Sequence, residues 1–277
     1  MDRQLRVIVI TGANSGLGAE IADAIRASED SADAFVLEVC GMDCDFDATR
    51  EDAIQADLTD PNDSLRVSNW VKEQTEWFFK TPGEFEEPYD SIYPILVNCA
   101  GVNYIEWFDH ADMNQFDRLM AINVKAGLML TQNLIGLKPP FGGIESKDWF
   151  NGTGAILNIV SNASHVPMTN SAFYNASKGA FHIATLSLAR ELRKTHGICV
   201  FGISPNKLAG TGMSDYIEGR VPALRGWTPE EAAKYQLSAL PAGEETDPSV
   251  LADFIAYLLA EPIRHKYLTG TIIPYGA

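Results

Sequence analysis

Tyr174 and Lys178 stand four residues apart in the run YNASK, inside a stretch, Ala172 to Lys194, that reads as one long helix. A spacing of four places both side chains on one helix face. A phenol with a pKa near ~10 is a poor base at neutral pH, and a lysine cation beside it favours the phenolate and lowers that value. Such a pair suits a reaction in which an alcohol loses its proton while a hydride leaves its carbon. Ser161 closes the apolar run AILNIV, Ala155 to Val160. At the carboxyl end of a strand its hydroxyl is placed to hold a reacting oxygen and steady its developing charge. Ser164 is the rival, further along the same loop.

A second pattern lies near the start. Thr11 to Gly18 reads TGANSGLG, directly after the apolar run Val7 to Ile10 and directly before AEIADAIRA, whose apolar residues recur at helical spacing. Gly12, Gly16 and Gly18 allow a tight turn and close backbone approach, and Asn14, Ser15 and Leu17 complete the loop. The following helix presents free N–H groups to a phosphate.

The elements that must position these residues alternate. Strands are expected at Val7–Ile10, Ala34–Cys40, Ala53–Asp57, Ile95–Asn98, Ala155–Val160, Ile198–Ile203 and Gly270–Ile273. Helices are expected at Ser64–Lys80, Asp112–Leu137, Ala172–Lys194 and Pro248–Ala260, besides the one after Gly18. Continuous apolar strands alternating with helices predict an α/β protein with a parallel sheet covered on both faces. Lys80 to Pro94 and Lys138 to Gly154 are rich in Pro and Gly and read as surface loops or insertions. With no linker or repeat, residues 1–277 are expected to form one domain.

Together these residues resemble the short-chain dehydrogenase/reductase family. The turn has the family's spacing TG-x-x-x-G-x-G rather than G-x-G-x-x-G, and NCAG at Asn98 to Gly101 matches its Asn-Asn-Ala-Gly motif. Asp57, with Leu58 in ADLTD, matches the aspartate that contacts adenine, and Ser161 precedes Tyr174 by the family's thirteen residues. The resemblance runs from Arg6 to Gly276. It implies a doubly wound, Rossmann-type sheet of about seven strands and an enzyme moving a hydride between a nicotinamide dinucleotide and a small to medium alcohol or carbonyl substrate.

It further implies that Ser161, Tyr174 and Lys178 are catalytic and that Asn123, in INVKAG, belongs to a proton relay. Gly12, Asn14, Ser15, Gly16, Leu17, Gly18, Asp57, Leu58, Asn98, Ala100, Gly101, Pro205 and Thr211 would hold the cofactor, with Tyr174 and Lys178 at the nicotinamide ribose. No metal is expected. Residues of about 206–248 would cover the substrate, with Met213, Tyr216, Ile217 and Trp227 as candidate apolar lining. A homodimer or homotetramer is implied. The chain departs from the family where Pro205-Asn206 replaces Pro-Gly and where PYGA stands for a Gly-Gly pair. Asn206 tolerates left-handed angles better than most residues. The alternatives are a dinucleotide-binding regulator without turnover, or dehydration, epimerisation or carbon–halogen cleavage on the same fold.

No Lys or Arg occurs between Arg26 and Arg50, and position 15 is serine, which favours NAD. Glu38 and Asp43 are both candidates for the acid on the ribose hydroxyls. NADP remains the alternative, should Arg50 fold back.

The formal net charge is −16, from 37 acidic and 21 basic residues, and no basic stripe is present. That disfavours nucleic acid as a partner. Cys40, Cys44, Cys99 and Cys199 make no disulfide framework, and Cys40 and Cys44 lack a second ligand pair for zinc. The five histidines form no ligand pair, and His165 is a candidate for the pocket wall. No apolar run approaches the ~20 residues of a membrane span, and a cytoplasmic location is expected.

Overall fold

A computed structural model describes residues 4–28, 33–42, 44, 46–80, 89–136, 150 and 152–276. Seven parallel strands form one sheet in the order β3-β2-β1-β4-β5-β6-β7. They are β1 (Gln4–Thr11), β2 (Ala34–Cys40), β3 (Ala53–Gln55), β4 (Ser91–Asn98), β5 (Ala155–Ile159), β6 (Cys199–Pro205) and β7 (Ile272–Tyr275). The helices are α1 (Gly16–Ala27), α2 (Pro61–Lys80), α3 (Met113–Met120), α4 (Gly127–Ile135), α5 (Ala172–Thr195), α6 (Gly212–Arg225), α7 (Pro229–Ser238), α8 (Pro248–Ala260) and α9 (Pro262–Leu268).

The period of two in a strand divides the apolar residues of β1 between two cores. Ile8 and Ile10 pack with Leu17, Ile21 and Ile25 of α1 and Leu251, Ile255 and Leu259 of α8. Val7 and Val9 face the other way, onto Val67 and Val71 of α2, Leu130 and Leu134 of α4 and Leu192 of α5. Because both faces are covered, β1 reads as an unbroken apolar run rather than an alternating one. The strand order reverses direction between β1 and β4. There the adjacent loops diverge to opposite faces and open a crevice at the carboxyl ends of the strands.

Three expectations change. The stretch expected as one helix over Asp112–Leu137 is α3, a π-helical segment (Ala121–Ala126) and α4. The expected loop Lys80–Pro94 is shorter at both ends, since Lys80 belongs to α2 and Ser91–Pro94 pair with Gln4–Val7 of β1; residues 81–88 lie outside the described residues. Most of the second expected loop also lies outside them. Phe150, however, is completely buried in the core around Val7 and Leu96, and positive φ at Gly152 and Gly154 leads the chain into β5.

Candidate active site

A cleft of about 1070 Å³ opens at the carboxyl ends of the strands, floored by the glycine turn and the ends of β2, β4, β5 and β6 and roofed by α6 and α7. Gly12 has φ +69°, and a Cβ there would lie 2.9 Å from Ala100 Cα; a Cβ on Gly18 would lie 2.2 Å from the Gly12 carbonyl oxygen. The turn can therefore form only with glycine at both places. Ser15 precedes α1 without capping it by its side chain. The first-turn N–H groups of α1 thus remain available beside the cleft for an anion.

Two polar side chains lock this floor. Asn14 Oδ1 accepts from Gly41 N (3.1 Å), tying the turn to the end of β2. Thr11 Oγ1 accepts from Cys99 N (3.0 Å) and Ala100 N (3.1 Å), holding the NCAG turn against β1. Thr11 was not among the expected site residues. Its signal was present as a hydroxyl residue closing β1 beside the glycine turn.

Gly12, Asn14, Ser15, Gly16, Leu17, Gly18, Asp57, Leu58, Ala100, Gly101, Pro205 and Thr211 all line the cleft, as do Ser161, Tyr174 and Lys178. Asn98 does not. It is buried, and its Nδ2 donates to Asn158 Oδ1 (2.8 Å) and to Thr131 Oγ1 (3.4 Å), joining β4 to β5 and α4. Asn158 passes the link to Thr185 of α5 (2.9 Å). Asn98 is thus placed to hold elements together rather than to touch a cofactor.

Glu38 also lies away from the cleft wall. Its carboxylate, 4% exposed, is held by Arg50 at 2.8 and 2.9 Å and by Arg26 at 2.6 Å. Arg50 and Arg26 also share Asp52. The acid expected on a ribose is spent on two guanidinium groups, and Arg50 does not fold back to the cleft. Asp43 lies outside the described residues. At the β2 end the lining is Val39, Cys40, Gly41 and Met42, with no cation among the described residues there.

Tyr174 and Lys178 project from the first turns of α5, 7% and 4% exposed. Lys178 Nζ donates to the Ile159 carbonyl at 3.1 Å. Burial lowers its pKa to about 8. Burial pushes the Tyr174 phenol above its ordinary range, while a hydrogen bond with the Ser161 hydroxyl works the other way. Tyr174 Oη also lies 3.9 Å from Met213 Sδ of α6. Ser161 Oγ accepts from Ala163 N at 3.2 Å, which fixes the hydroxyl at the end of β5. Its rival Ser164 bonds instead to His182 Nδ1 (2.8 Å) and His165 Nδ1 (3.2 Å), and neither Ser164 nor His165 lines the cleft.

Asn123 sits in the π-helical segment, a rare feature that recurs at functional sites. Its Oδ1 accepts from Val102 N (2.8 Å), and its Nδ2 donates to Val102 O (2.9 Å) and Ser177 Oγ (3.0 Å). It clamps the turn after β4 to α5, behind the cleft wall. Gly101 lies where a Cβ would come within 3.4 Å of both Asn123 Oδ1 and Lys178 Nζ, so the three meet in van der Waals contact.

At the far side, Thr211 caps α6 by accepting from Ser214 N (3.2 Å) and lies against Gly16. Among the described residues only Asn170 is a non-glycine with positive φ, so Asn206 does not supply a left-handed turn. It instead donates from Nδ2 to Gly276 O (2.6 Å) and accepts from Thr246 Oγ1 (2.6 Å), bonding the segment after β6 to the end of β7. Of the expected apolar lining, Met213 and Ile217 reach the cleft. The Tyr216 hydroxyl accepts from Ile105 N (3.1 Å), and the Trp227 ring meets Tyr235 at a tilt of 58°.

Arg118, Lys178, Lys207 and Arg225 line the cleft against a single acid, Asp57. Lys207 is neutralised by Glu218 and Glu245, so Arg118, Lys178 and Arg225 are the cations that face the cleft with Asp57 in a chain of 37 acids and 21 bases. Among the described residues there is no cluster of three or more potential metal ligands and no helix long and apolar enough to cross a membrane.

A family model for short chain dehydrogenases matches residues 6–220. A (3R)-3-hydroxyacyl-CoA dehydrogenase of Rattus norvegicus is 26% identical over 99% of this chain and 97% of its own. An L-xylulose reductase of Bos taurus is 26% identical, with the same coverage of both chains. The structure of L-sorbose reductase from Gluconobacter frateurii with NADPH and L-sorbose shares the fold, with a TM-score of 0.72 at 22% identity over 99% of this chain and 97% of that one. The chain belongs to the short chain dehydrogenase family. It is a nicotinamide-dependent oxidoreductase that moves a hydride between the dinucleotide and an alcohol or carbonyl compound.

Proposed function

We propose that the chain uses NAD, with Tyr174 as acid–base, Lys178 as its charge partner, Ser161 as the anchor of the reacting oxygen and Asn123 as the residue that positions the relay behind Lys178. The observation that carries this reading is the convergence of Ser161, Tyr174 and Lys178 in one cleft with the glycine turn. The donor set fits a dinucleotide: uncapped N–H groups of α1 for the pyrophosphate, a glycine floor that admits close approach, and Asp57 and Leu58 at the adenosine end.

The bound dinucleotide supplies the hydride acceptor in oxidation and the donor in reduction. Ser161 Oγ, held by Ala163 N, offers a fixed hydroxyl to the substrate oxygen. Tyr174 Oη, beside it, takes the alcohol proton during oxidation and returns it to the carbonyl oxygen during reduction. Burial alone opposes the phenolate. A protonated Lys178 four residues on favours it, and its pKa of about 8 keeps that charge through neutral pH. The Ile159 carbonyl holds Lys178 Nζ, and Asn123 holds the neighbouring Ser177 on α5.

NAD is favoured over NADP because the β2 end of the cleft offers Gly41 and Met42, whereas Arg26 and Arg50 are neutralised by Glu38 and Asp52. A ribose phosphate finds no free cation there among the described residues. The L-sorbose reductase structure holds NADPH, which speaks for the alternative, and the NAD reading rests on the β2 end of this cleft alone. A fluorescence titration with NADH and with NADPH, read by energy transfer from the five tryptophans, tests it. Tighter NADH binding, followed by oxidation of NADH on a ketone and aldehyde panel, is expected. Tighter NADPH binding would overturn the NAD assignment. Binding without turnover on any carbonyl would favour a regulatory role.

A further inference from the structure

We infer that the end of the cleft beneath α6 and α7 is a carboxylate subsite formed by Arg225, held from behind by Asn170, with Gln236 beside it in the cleft wall, so that the substrate is an alcohol or carbonyl compound bearing a carboxylate. This rests on the hydride-transfer reading of the same cleft.

Arg225 is the last residue of α6 and lines the cleft. Its Nε donates to Asn170 Oδ1 at 3.0 Å, and its guanidinium lies over the rings of Trp227 (4.7 Å) and Tyr235 (5.0 Å). These contacts fix the plane of the fork. They leave its terminal nitrogens as parallel donors, the geometry that matches a carboxylate. No carboxylate among the described residues is within ion-pair distance of it. Lys207, also in the cleft wall, is by contrast held by Glu218 (2.8 Å) and Glu245 (2.5 Å).

The neighbours of Arg225 are short of partners. Asn170 adopts φ +67°, a left-handed angle that asparagine accepts more readily than most residues. Its Nδ2 is buried with no hydrogen-bond partner. Gln236 follows Tyr235 in α7 and lines the cleft, and both its Nε2 and Oε1 are buried without a partner. Buried amide groups are almost always satisfied, and Gln236 shares the cleft wall with a guanidinium that has no carboxylate partner among the described residues, so a ligand there has both a charge and an amide to meet. One fork and the Gln236 amide N–H suit a singly charged oxyanion. The free Gln236 Oε1 suits a hydroxyl or the proton of a neighbouring group. Between this end and Tyr174 the wall is apolar, formed by Met213, Ile217 and Val221.

The test is steady-state kinetics on matched pairs, short straight-chain oxo acids against their methyl esters, with NADH. The acids are expected to have kcat/KM roughly 10- to 100-fold higher, the range of a lost charge-assisted bond pair. Arg225→Met should bring the acid-to-ester ratio close to one by raising KM for the acids. Arg225→Lys, which keeps the charge and loses the fork, should give an intermediate ratio and guards against misfolding of the first variant. Gln236→Leu should lower the ratio in part. Equal kcat/KM for acid and ester, or an unchanged ratio in both Arg225 variants, overturns the subsite while leaving hydride transfer intact. A preference for a phosphate ester over both overturns the choice of carboxylate. Failure of the underlying reading shows separately, as no oxidation of NADH by any pair member. In that event the subsite is read from Tm of the NADH complex, where a rise with the acids that Arg225→Met removes supports it and equal Tm with acid and ester overturns it.

Discussion

A single methyl group separates the glycine turn from one that cannot close. At Gly18 that methyl would sit 2.2 Å from a backbone oxygen, where no flexible side chain can yield. Gly18→Ala is therefore expected to shift α1 away from β1, costing about 1–3 kcal/mol in denaturant unfolding, and to weaken dinucleotide binding at least roughly tenfold. Unchanged affinity by titration would separate the turn from the cofactor. That Tyr174, Lys178 and Ser161 share one cleft was legible in the sequence because the helix spacing and the strand-end serine stand together with the glycine turn and NCAG. Glu38 was misread because its partners Arg26 and Arg50 are twelve residues away on either side. Nothing in the alternation of β2 shows that both turn back onto it.

At the scale of elements, the sheet and its two cores follow from continuous apolar runs, whereas the polar ties between elements do not. Asn98 illustrates the difference. The motif NCAG suggests contact with a ligand, but the side chain bridges β4, β5 and α4 through Asn158 and Thr131. Asn98→Ala is expected to lower stability by roughly 1–3 kcal/mol through the partners it strands, with dinucleotide affinity little changed. A large loss of affinity with stability intact would return Asn98 to the binding set. The π-helical segment at Ala121–Ala126 was hinted at by Asn123 alone, an unfavourable residue inside a helix, while the reason for it lies across the fold, where Asn123 clamps Val102 and Ser177. Pro94 in β4 misled in the other direction, because a proline beside an expected loop conceals a strand that continues through it.

For the whole molecule, His265 links the far end of the sheet to its covering helices and sets a pH limit on stability. It is completely buried, bonding Tyr93 Oη from Nδ1 (3.0 Å) and Leu258 O from Nε2 (3.1 Å), and it stacks on Phe201. Burial lowers its pKa from the usual 6.5 to about 4. The unfolded chain therefore takes up a proton first as pH falls. Stability from this group is complete above pH 6.5 and declines between 6.5 and 4, by roughly 2–3 kcal/mol across that window. Urea unfolding of the parent and of His265→Gln at neutral and acidic pH checks this. The variant should start less stable and lose less on acidification; an identical slope in both would assign the acid sensitivity elsewhere.

Tyr174 is the group proposed to handle the proton during hydride transfer. The measurement that tests this most directly is turnover of Tyr174→Phe beside its affinity for NADH, in the same preparation. The phenyl ring keeps the packing near Met213 and loses only the hydroxyl that meets Ser161. The expected result is a fall in kcat of roughly 10²- to 10⁴-fold with NADH affinity close to that of the parent. Turnover near the parent level would contradict the assignment and move the proton to another group in the cleft.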